Sequence, residues 1–212
     1  MIKSAILTIT FLFLFILPVN ANILPNSKND ISPDTMGLYQ MPLRITVYAL
    51  PDKKSDIIYE ANWDYKTFNA SKGGADNIFS VWVQDKELAY TQVTDSNEDW
   101  CEIIYDKANN KKGLIITEDL RFMPWRSFYN IYGRKYGLFM FKDSPTSIKD
   151  LKSSTDDNSQ IVQKIEKPLK INLTKIKGNW ALITAIENHA GKTGYLRWRS
   201  DDGELYAFPA IK

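Results

Sequence analysis

The chain contains one cysteine and one histidine, Cys101 and His189, the side chains that a thiol hydrolase would use as nucleophile and base. A papain-like site places its cysteine at the start of a helix and adds a third polar partner that orients the histidine. Cys101 instead follows Trp100 in an alternating apolar segment typical of a strand, and His189 lies in a polar loop beside Gly191. The sequence therefore predicts a buried structural thiol in a protein that is not an enzyme.

Other short motifs for phosphate and metal binding are incomplete. Gly191-Lys192-Thr193 resembles the end of a phosphate-binding loop, but Ile186 occupies the position that needs the preceding glycine. One cysteine and one histidine cannot build a zinc site. Residues 201–204 lack the spacing of a calcium loop, and Gly203 there favours a β-turn with a positive φ. We therefore expect no metal site and no cofactor.

Aromatic residues are abundant, with six tryptophans, eleven tyrosines and ten phenylalanines. Between residues 125 and 136 they recur at steps of three and four, which predicts either a short helix or an irregular aromatic linker. Exposed rings would form a groove for proline-rich peptides or sugars, whereas buried rings would seal an interface between two domains, the interpretation that we favour. The groove interpretation assigns ligand binding to Trp125, Tyr129, Tyr132, Tyr136 and Trp198.

Two arginines, Arg197 and Arg199, flank Trp198 in a predicted strand, and their side chains point away from the tryptophan because strand residues alternate between faces. Together they could clamp a carboxylate of a ligand, so both are candidate binding residues. The alternative, which we favour, is that they pair with Asp201 and Asp202, a few positions along the chain.

Two stretches of the chain share one pattern of tryptophan, glycine and proline. A tryptophan opens an apolar segment, a glycine opens the next segment, and a proline closes the unit; the positions are Trp100, Gly113 and Pro124, then Trp180, Gly194 and Pro209. The glycines suit a close approach of neighbouring backbone, and the prolines end strand pairing. Alternating segments recur about every ten residues with turn signals between them, which is typical of small β barrels or sandwiches.

This pattern resembles the bacterial SH3-like (SH3b) domain, here present twice in tandem. The residues that carry the resemblance are Trp100, Gly113 and Leu114 in the first unit, and Gly178, Trp180, Gly194, Tyr195 and Leu196 in the second. The first unit departs from the family pattern, because Leu114 stands where an aromatic residue is usual and Glu98-Asp99 replaces a glycine. The resemblance implies a mainly β protein of two small five-stranded barrels. Such domains are usually non-catalytic, and many in secreted bacterial proteins bind cell-wall peptides or other proteins.

The N-terminal residues predict export. Lys3 precedes an apolar run at 5–17 and a small-residue pattern at 19–21, which indicates a cleaved secretory signal peptide; a transmembrane anchor is the alternative. The predicted organisation is a signal peptide at 1–21, a flexible lead at 22–36, a first SH3-like domain at 37–124 with an insert near 61–85, a linker at 125–136 and a second SH3-like domain at 137–212.

Composition and the resemblance together define the expected function. After cleavage the chain keeps all 25 acidic residues and loses one of 27 basic residues, a near-neutral balance that argues against a nucleic-acid partner. We expect a non-enzymatic binding module of the bacterial cell envelope, periplasmic or extracellular, with no membrane span after cleavage. Its partner would be a peptide, peptidoglycan or an envelope protein. The alternatives are a structural or interaction subunit of an envelope assembly and an accessory to a cell-wall hydrolase.

Overall fold

The structure is a computed structural model, and it describes residues 22–64, 66–118, 121–166 and 170–211. The predicted signal peptide at 1–21 lies outside the described residues. The protein is mainly β, with 47% of residues in strands and 16% in helices, and its strands form two antiparallel sheets. This confirms the β class predicted from the alternating segments.

The first sheet contains nine strands from the N-terminal half of the chain. They are β1 (Gly37–Gln40), β2 (Arg44–Tyr48), β3 (Ile57–Trp63), β4 (Phe68–Ala70), β5 (Val81–Val83), β6 (Leu88–Ser96), β7 (Trp100–Asp106), β8 (Lys111–Ile116) and β9 (Phe122–Pro124). Their order is β4-β3-β2-β8-β7-β6-β1-β9, and β5 pairs with β6 outside this path. The predicted insert near 61–85 supplies the end of β3, β4, β5 and the short helix α1 (Ala75–Ile78).

The second sheet contains seven strands from the C-terminal half. They are β10 (Leu138–Met140), β11 (Asp150–Lys152), β12 (Ile161–Lys164), β13 (Lys170–Lys177), β14 (Trp180–Glu187), β15 (Ala190–Arg197) and β16 (Ala207–Pro209). Their order is β12-β11-β15-β14-β13-β10-β16. The path β9-β1-β6-β7-β8-β2 of the first sheet therefore matches the path β16-β10-β13-β14-β15-β11 of the second.

The strand registers match as well as the strand order. Trp100 lies opposite Ile116 as Trp180 lies opposite Arg197. The two glycines of the repeated pattern also correspond, since Gly113 lies opposite Ile103 and Gly194 opposite Ile183. The closing prolines, Pro124 and Pro209, pair with Gly37 of β1 and Leu138 of β10. The repeat in the sequence is thus a repeat of strand pairing.

Neither sheet closes on itself within the described residues. The terminal strands, β4 and β9 in the first sheet and β12 and β16 in the second, do not pair with each other. The prediction of closed barrels is therefore wrong. The physical reason is that each sheet continues past the shared path, where β3 and β4 extend it beyond β2 and β12 extends it beyond β11.

A continuous helical segment connects the two sheets. It consists of α2 (Trp125–Phe128), a π-helical turn (Tyr129–Gly133) and α3 (Arg134–Tyr136), so of the two alternatives left by the aromatic spacing the helical one is present. The remaining helical elements are 3-10 turns at Lys28–Asp30, Gln84–Lys86, Lys107–Asn109 and Thr146–Lys149. None of the helices in the described residues has the length and apolar character that crossing a bilayer requires.

One hydrophobic core is shared between the two halves. The helical residues Trp125, Phe128 and Tyr129 pack in one cluster with Leu38 of β1 and Phe208 of β16. The remaining members from the first half are Ile31 and residues of β5 and β6, and those from the second half are spread from β10 to Ile211. A separate cluster lies within the first half, between its strands and the helix α1.

Residues 22–36, for which the sequence predicts a flexible lead, pack along both halves. Ile23 forms a bridge with Trp82 of β5, and the Nζ of Lys28 lies 3.1 Å from a carboxylate oxygen of Glu204. Ile31 is buried in the shared core. The segment thus contacts the first sheet and the C-terminal turn at the same time.

A pair of glycine variants tests this packing. A Cβ at Gly203 would lie 2.0 Å from the carbonyl oxygen of Pro33, whereas a Cβ at Gly178 would meet no atom within 4 Å. Both residues have a positive φ, 96° and 56°, so alanine brings backbone strain at either position. We expect Gly203→Ala to lower the free energy of unfolding in urea by about 1–3 kcal/mol more than Gly178→Ala, because only Gly203→Ala adds a clash. Equal losses would show that residue 33 does not pack on this turn.

Candidate functional site

Three of the residues assigned to ligand binding from the sequence lie inside the protein. Trp125, Tyr129 and Trp198 are 2%, 0% and 3% exposed. Their polar atoms are satisfied internally, since the indole N–H groups donate to the carbonyl oxygens of Thr35 and Gly178, and the Tyr129 hydroxyl donates to that of Ala207. Burial raises the pKa of Tyr129 well above its ordinary value. These three rings lie where the interface interpretation placed them.

The other two tyrosines of the helical segment are partly buried. The Tyr132 hydroxyl lies 2.6 Å from that of Tyr90 on β6, so this contact also joins the helix to the first sheet. Burial, followed by this hydrogen bond, raises the pKa of Tyr90. The ring of Tyr136 stacks on that of Tyr132 with centroids 6.4 Å apart, and the Nζ of Lys135 lies 5.0 Å from the Tyr136 centroid.

Tyr136 and its neighbour Lys135 in α3 border a groove. The groove has a volume of about 890 Å³ and lies between the end of α3 and the strands β10 and β13. Its surface is apolar apart from Lys135 and Lys170, and its other lining residues are Leu24, Tyr136, Leu138, Phe139, Met140, Ile171, Ala210 and Ile211.

Arg199 binds backbone carbonyls. Its Nη2 donates to the oxygens of Thr35 at 2.9 Å and Pro33 at 3.3 Å, and its Nε donates to that of Gly203 at 3.1 Å. Among the described residues it forms no ion pair with Asp202, contrary to the pairing predicted from the sequence. The reason is that the N-terminal segment, which is distant in sequence, offers carbonyl oxygens within reach. Arg199 therefore ties that segment to the second half.

Arg197 forms the predicted pair with Asp201. Its Nη2 lies 2.6 Å from an oxygen of Asp201, its Nη1 bonds to Asp157, and its guanidinium carbon lies 5.4 Å from the ring centroid of Trp180. Hydrogen bonds from Arg197 and then from Asn179 hold the pKa of the Asp201 carboxyl below its ordinary value of 3.8. The guanidinium is thus fixed over the tryptophan by two carboxylates.

Arg197 and Trp180 form one wall of a cleft in the second half with a volume of about 310 Å³. Trp180 opens β14, and Arg197, directly opposite it, ends β15. The other lining residues come from β11, the loops on either side of it and the segment before β16: Ser147, Ile148, Asp150, Lys152, Asp157 and Tyr206. The register of three strands therefore brings aromatic and charged side chains together.

Asp150 is the unusual member of this cleft. Its Oδ1 atom is buried and accepts no hydrogen bond from the described residues, and the Nζ of Lys164 lies 4.0 Å away, beyond hydrogen-bonding distance. A buried carboxylate oxygen without a donor is unfavourable, because it has lost its water without replacement. The Asp150 carboxylate thus lines the cleft beside the rings of Trp180 and Tyr206 and lacks a full set of internal hydrogen-bond donors among the described residues.

Sequence reasoning did not find this combination. Trp180 entered the sequence analysis as a position of the repeated pattern, and no pattern singled out Asp150 or Tyr206 as binding residues. The only signal was the Trp-Gly pattern, which locates Trp180 opposite Arg197 once β14 and β15 are paired. The residues from β11 and from the segment before β16 are distant in sequence, so only the fold brings them to the same place.

The thiol and imidazole do not form a site. Cys101 is buried in β7 with its Sγ 3.0 Å from the Ser96 hydroxyl, while His189 is exposed in the turn between β14 and β15 of the other sheet. The described ranges contain no group of three or more residues arranged to hold a metal ion.

The Arg197–Asp201 pair generates a pH prediction. Because its pKa is depressed in the folded state, Asp201 contributes stability above its ordinary pKa, and this contribution is lost as the pH falls through the folded-state value. We expect Arg197→Gln to raise the pKa of Asp201 toward 3.8, as followed by an NMR titration of its carboxyl carbon, because the largest cause of the depression is removed. Asn179→Ala should raise it less. An unchanged pKa in Arg197→Gln would mean that the pair does not form in solution.

The geometry of the second half thus includes a cleft with fixed positive and negative groups beside two aromatic rings, and an apolar groove bordered by Tyr136. Of the residues assigned to binding from the sequence, Arg197 lines the cleft and Tyr136 the groove. A scan against protein-family models and a search of curated proteins both found no match for this chain.

Proposed function

We propose that this protein is a non-enzymatic, exported binding module of the bacterial cell envelope that recognises an extended peptide segment, from the cell wall or from a protein, through a cationic side chain. The observation that carries the proposal is Asp150, which lines a cleft beside Trp180 and Tyr206 and whose Oδ1 atom is buried without a hydrogen-bond donor among the described residues.

Asp150 gives the cleft an acidic group for a cationic ligand, while Lys152, which also lines the cleft, directs its Nζ to the carbonyl oxygen of Ser159 at 3.4 Å. Arg197 is already held by Asp157 and Asp201, so its positive charge is neutralised within the protein. Asp150 differs, since the one ion pair that it forms with a described residue is the 4.0 Å contact with the Lys164 ammonium. A ligand ammonium or guanidinium would donate to the Asp150 carboxylate and lie against the aromatic rings, and both interactions strengthen when water is excluded.

The size of the cleft suits part of a peptide. Ligand pockets for whole small molecules have volumes of about 300–1,000 Å³, so a cleft of about 310 Å³ holds one side chain with its adjoining backbone. The strand β12 is the terminal strand of the second sheet, and its outer backbone edge is unpaired among the described residues. An extended peptide that leaves the cleft along this edge would find backbone groups with which to pair.

The family and location in this proposal have separate support. Two matched strand paths with equivalent tryptophan, glycine and proline positions support a tandem SH3-like architecture in which the sheets remain open. Export is supported by the apolar run and small-residue pattern near the N-terminus. These properties would place the cleft where cell-wall peptides and envelope proteins are available.

A peptide series that varies at one position tests the proposal. Fluorescent peptides with lysine, arginine, norleucine or glutamate at the central position should bind with the first two preferred, as measured by anisotropy. Asp150→Asn should weaken binding of the lysine peptide by about tenfold or more, because a charge-assisted hydrogen bond is lost. Asp56→Asn makes the same charge change on an exposed turn of the first half and should leave binding unchanged. Equal affinity for lysine and norleucine, or full affinity in Asp150→Asn, would overturn the proposal.

A second function, as an interaction subunit of an envelope assembly, is favoured by the equivalent face of the first half. Ile116 lies opposite Trp100 at the position equivalent to that of Arg197 in the second half, and its side chain is 38% exposed. The ring of Tyr48 contacts that of Trp100, with centroids 5.6 Å apart. Leu50 nearby is also exposed. An apolar face of this kind suits a protein partner.

Site-specific crosslinking in cells distinguishes this function. A photocrosslinker at position 116 should capture one protein partner, whereas the same group at Lys192 in the second half should not. Capture should be lost in Trp100→Glu, provided that purified Trp100→Glu retains the circular dichroism spectrum of the native protein. Identical products from both positions would rule out a specific partner at this face.

A further inference from the structure

The outer face of the second sheet carries a distinct pattern of side chains. Along β14, Ala181, Ile183 and Ala185 point into the core and are 0%, 0% and 2% exposed. Because strand side chains alternate, Leu182, Thr184 and Ile186 point to the opposite face, where they are partly exposed. This outer face is not covered by the helical segment or by the first sheet, which pack on the inner side.

Strand register arranges this outer face in rows. In the central row, Lys175 of β13 lies opposite Leu182 of β14, which lies opposite Tyr195 of β15, and Tyr195 in turn lies opposite Lys152 of β11. The row therefore has an apolar and aromatic centre with a lysine at each end. Cross-strand neighbours on one face are about 5 Å apart, so the row spans the width of three strand spacings.

Other rows of the same face add two more lysines on β13. Lys177 lies opposite Trp180, and Lys170 lies opposite Ile186. Lys175 and Lys177 are two residues apart on one face, which corresponds to about 7 Å along β13. The row between Lys170 and Lys175 is polar and contains Asn172, Thr184 and Thr193, with the two hydroxyls 2.9 Å apart.

These lysines are not neutralised by the protein. Among the described residues, no ion pair is formed by Lys152, Lys170, Lys175 or Lys177. Arg197 on the same face differs, because two carboxylates hold it. Free cations that follow a strand are complementary to an anion that repeats along a chain, and a single small ion would contact only one of them.

We infer that this outer face binds a linear anionic glycan, in which sugar units carry phosphate or carboxylate groups. The lysines would contact the repeated anions, while the ring of Tyr195 and the side chain of Leu182 would contact the apolar faces of the sugars. The polar row offers hydroxyl and amide groups for hydrogen bonds with sugar hydroxyls.

A glycan fits this face better than a nucleic acid does. Proteins that bind single-stranded nucleic acid stack successive bases on several aromatic rings. Here Tyr195 is the one ring in the centre of the face, and Trp180 is covered by the Arg197 guanidinium. The near-neutral charge of the whole chain also argues against tracking of a phosphate backbone.

The test uses phosphorylated dextran and oligogalacturonate as probes, with unmodified dextran as the neutral control and a single-stranded DNA oligonucleotide as the competing class. We expect both anionic glycans to bind, their affinity to fall between 20 mM and 200 mM salt, and unmodified dextran not to bind. A preference between the two anionic probes identifies phosphate or carboxylate as the group recognised. Tighter binding of the DNA than of either glycan would overturn the inference.

Charge-reversal variants locate the site. Lys175→Glu/Lys177→Glu should weaken glycan binding by about tenfold or more and flatten its salt dependence, because two cations are lost from the face. Lys53→Glu/Lys54→Glu makes the same change on an exposed turn of the first half and should retain binding. If the charge reversal disturbs folding, Lys175→Gln/Lys177→Gln gives the same test with a smaller expected loss. Unchanged binding in the β13 variants, or an equal loss in the control, would overturn the inference.

The glycan inference does not rest on the peptide cleft, and one variant separates them. Asp150→Asn should leave glycan affinity unchanged or slightly raised, since it removes a negative charge next to the face. If neither the unmodified protein nor any variant binds the peptides, while the β13 variants still lose glycan binding, only the peptide function is refuted.

Discussion

The packing of the aromatic helical segment between the two sheets is the interaction on which the rest of the structure depends. Trp125, Phe128 and Tyr129 bury their rings against residues of both halves, and each ring of this size removes on the order of 150–250 Å² from water. The indole N–H of Trp125 and the hydroxyl of Tyr129 both donate to backbone carbonyls, so burial leaves neither of these donors unpaired. Separation of the two halves would expose this apolar surface to water. Burial of the shared core therefore fixes the position of one half relative to the other.

The aromatic rings of the helical segment are largely buried in the shared core. A ligand would therefore contact the outer faces of the two sheets. Strand pairing sets these faces, since residues opposite each other in register share one side of a sheet. The two halves use equivalent registers for different surfaces: Ile116 and Tyr48 form an apolar face in the first, while Arg197 and Lys152 form a charged face in the second. A repeated backbone thus supports two different kinds of contact.

Local patterns predicted the elements well. The repeated Trp-Gly-Pro pattern predicted equivalent strand pairing. The spacing of aromatic residues at 125–136 predicted a helix or an irregular linker, and the segment is helical. The pair between Arg197 and Asp201 was found because its members are four positions apart. The prediction of closed barrels was wrong because β3, β4 and β12 continue the sheets. A local sequence pattern does not indicate whether a strand pairs along one edge or along both.

By itself, the sequence determined the β class, the repeat and the alternation of inward and outward side chains, because these depend on neighbours within a few residues along the chain. Only the tertiary structure decided that the N-terminal segment packs on both halves, that Arg199 binds carbonyls of that segment, and that Asp150 meets Trp180 and Tyr206 in one cleft. The physical reason is that these contacts join residues far apart in sequence. Their partners are set by burial of the shared core, and no local pattern encodes which distant strand will lie alongside.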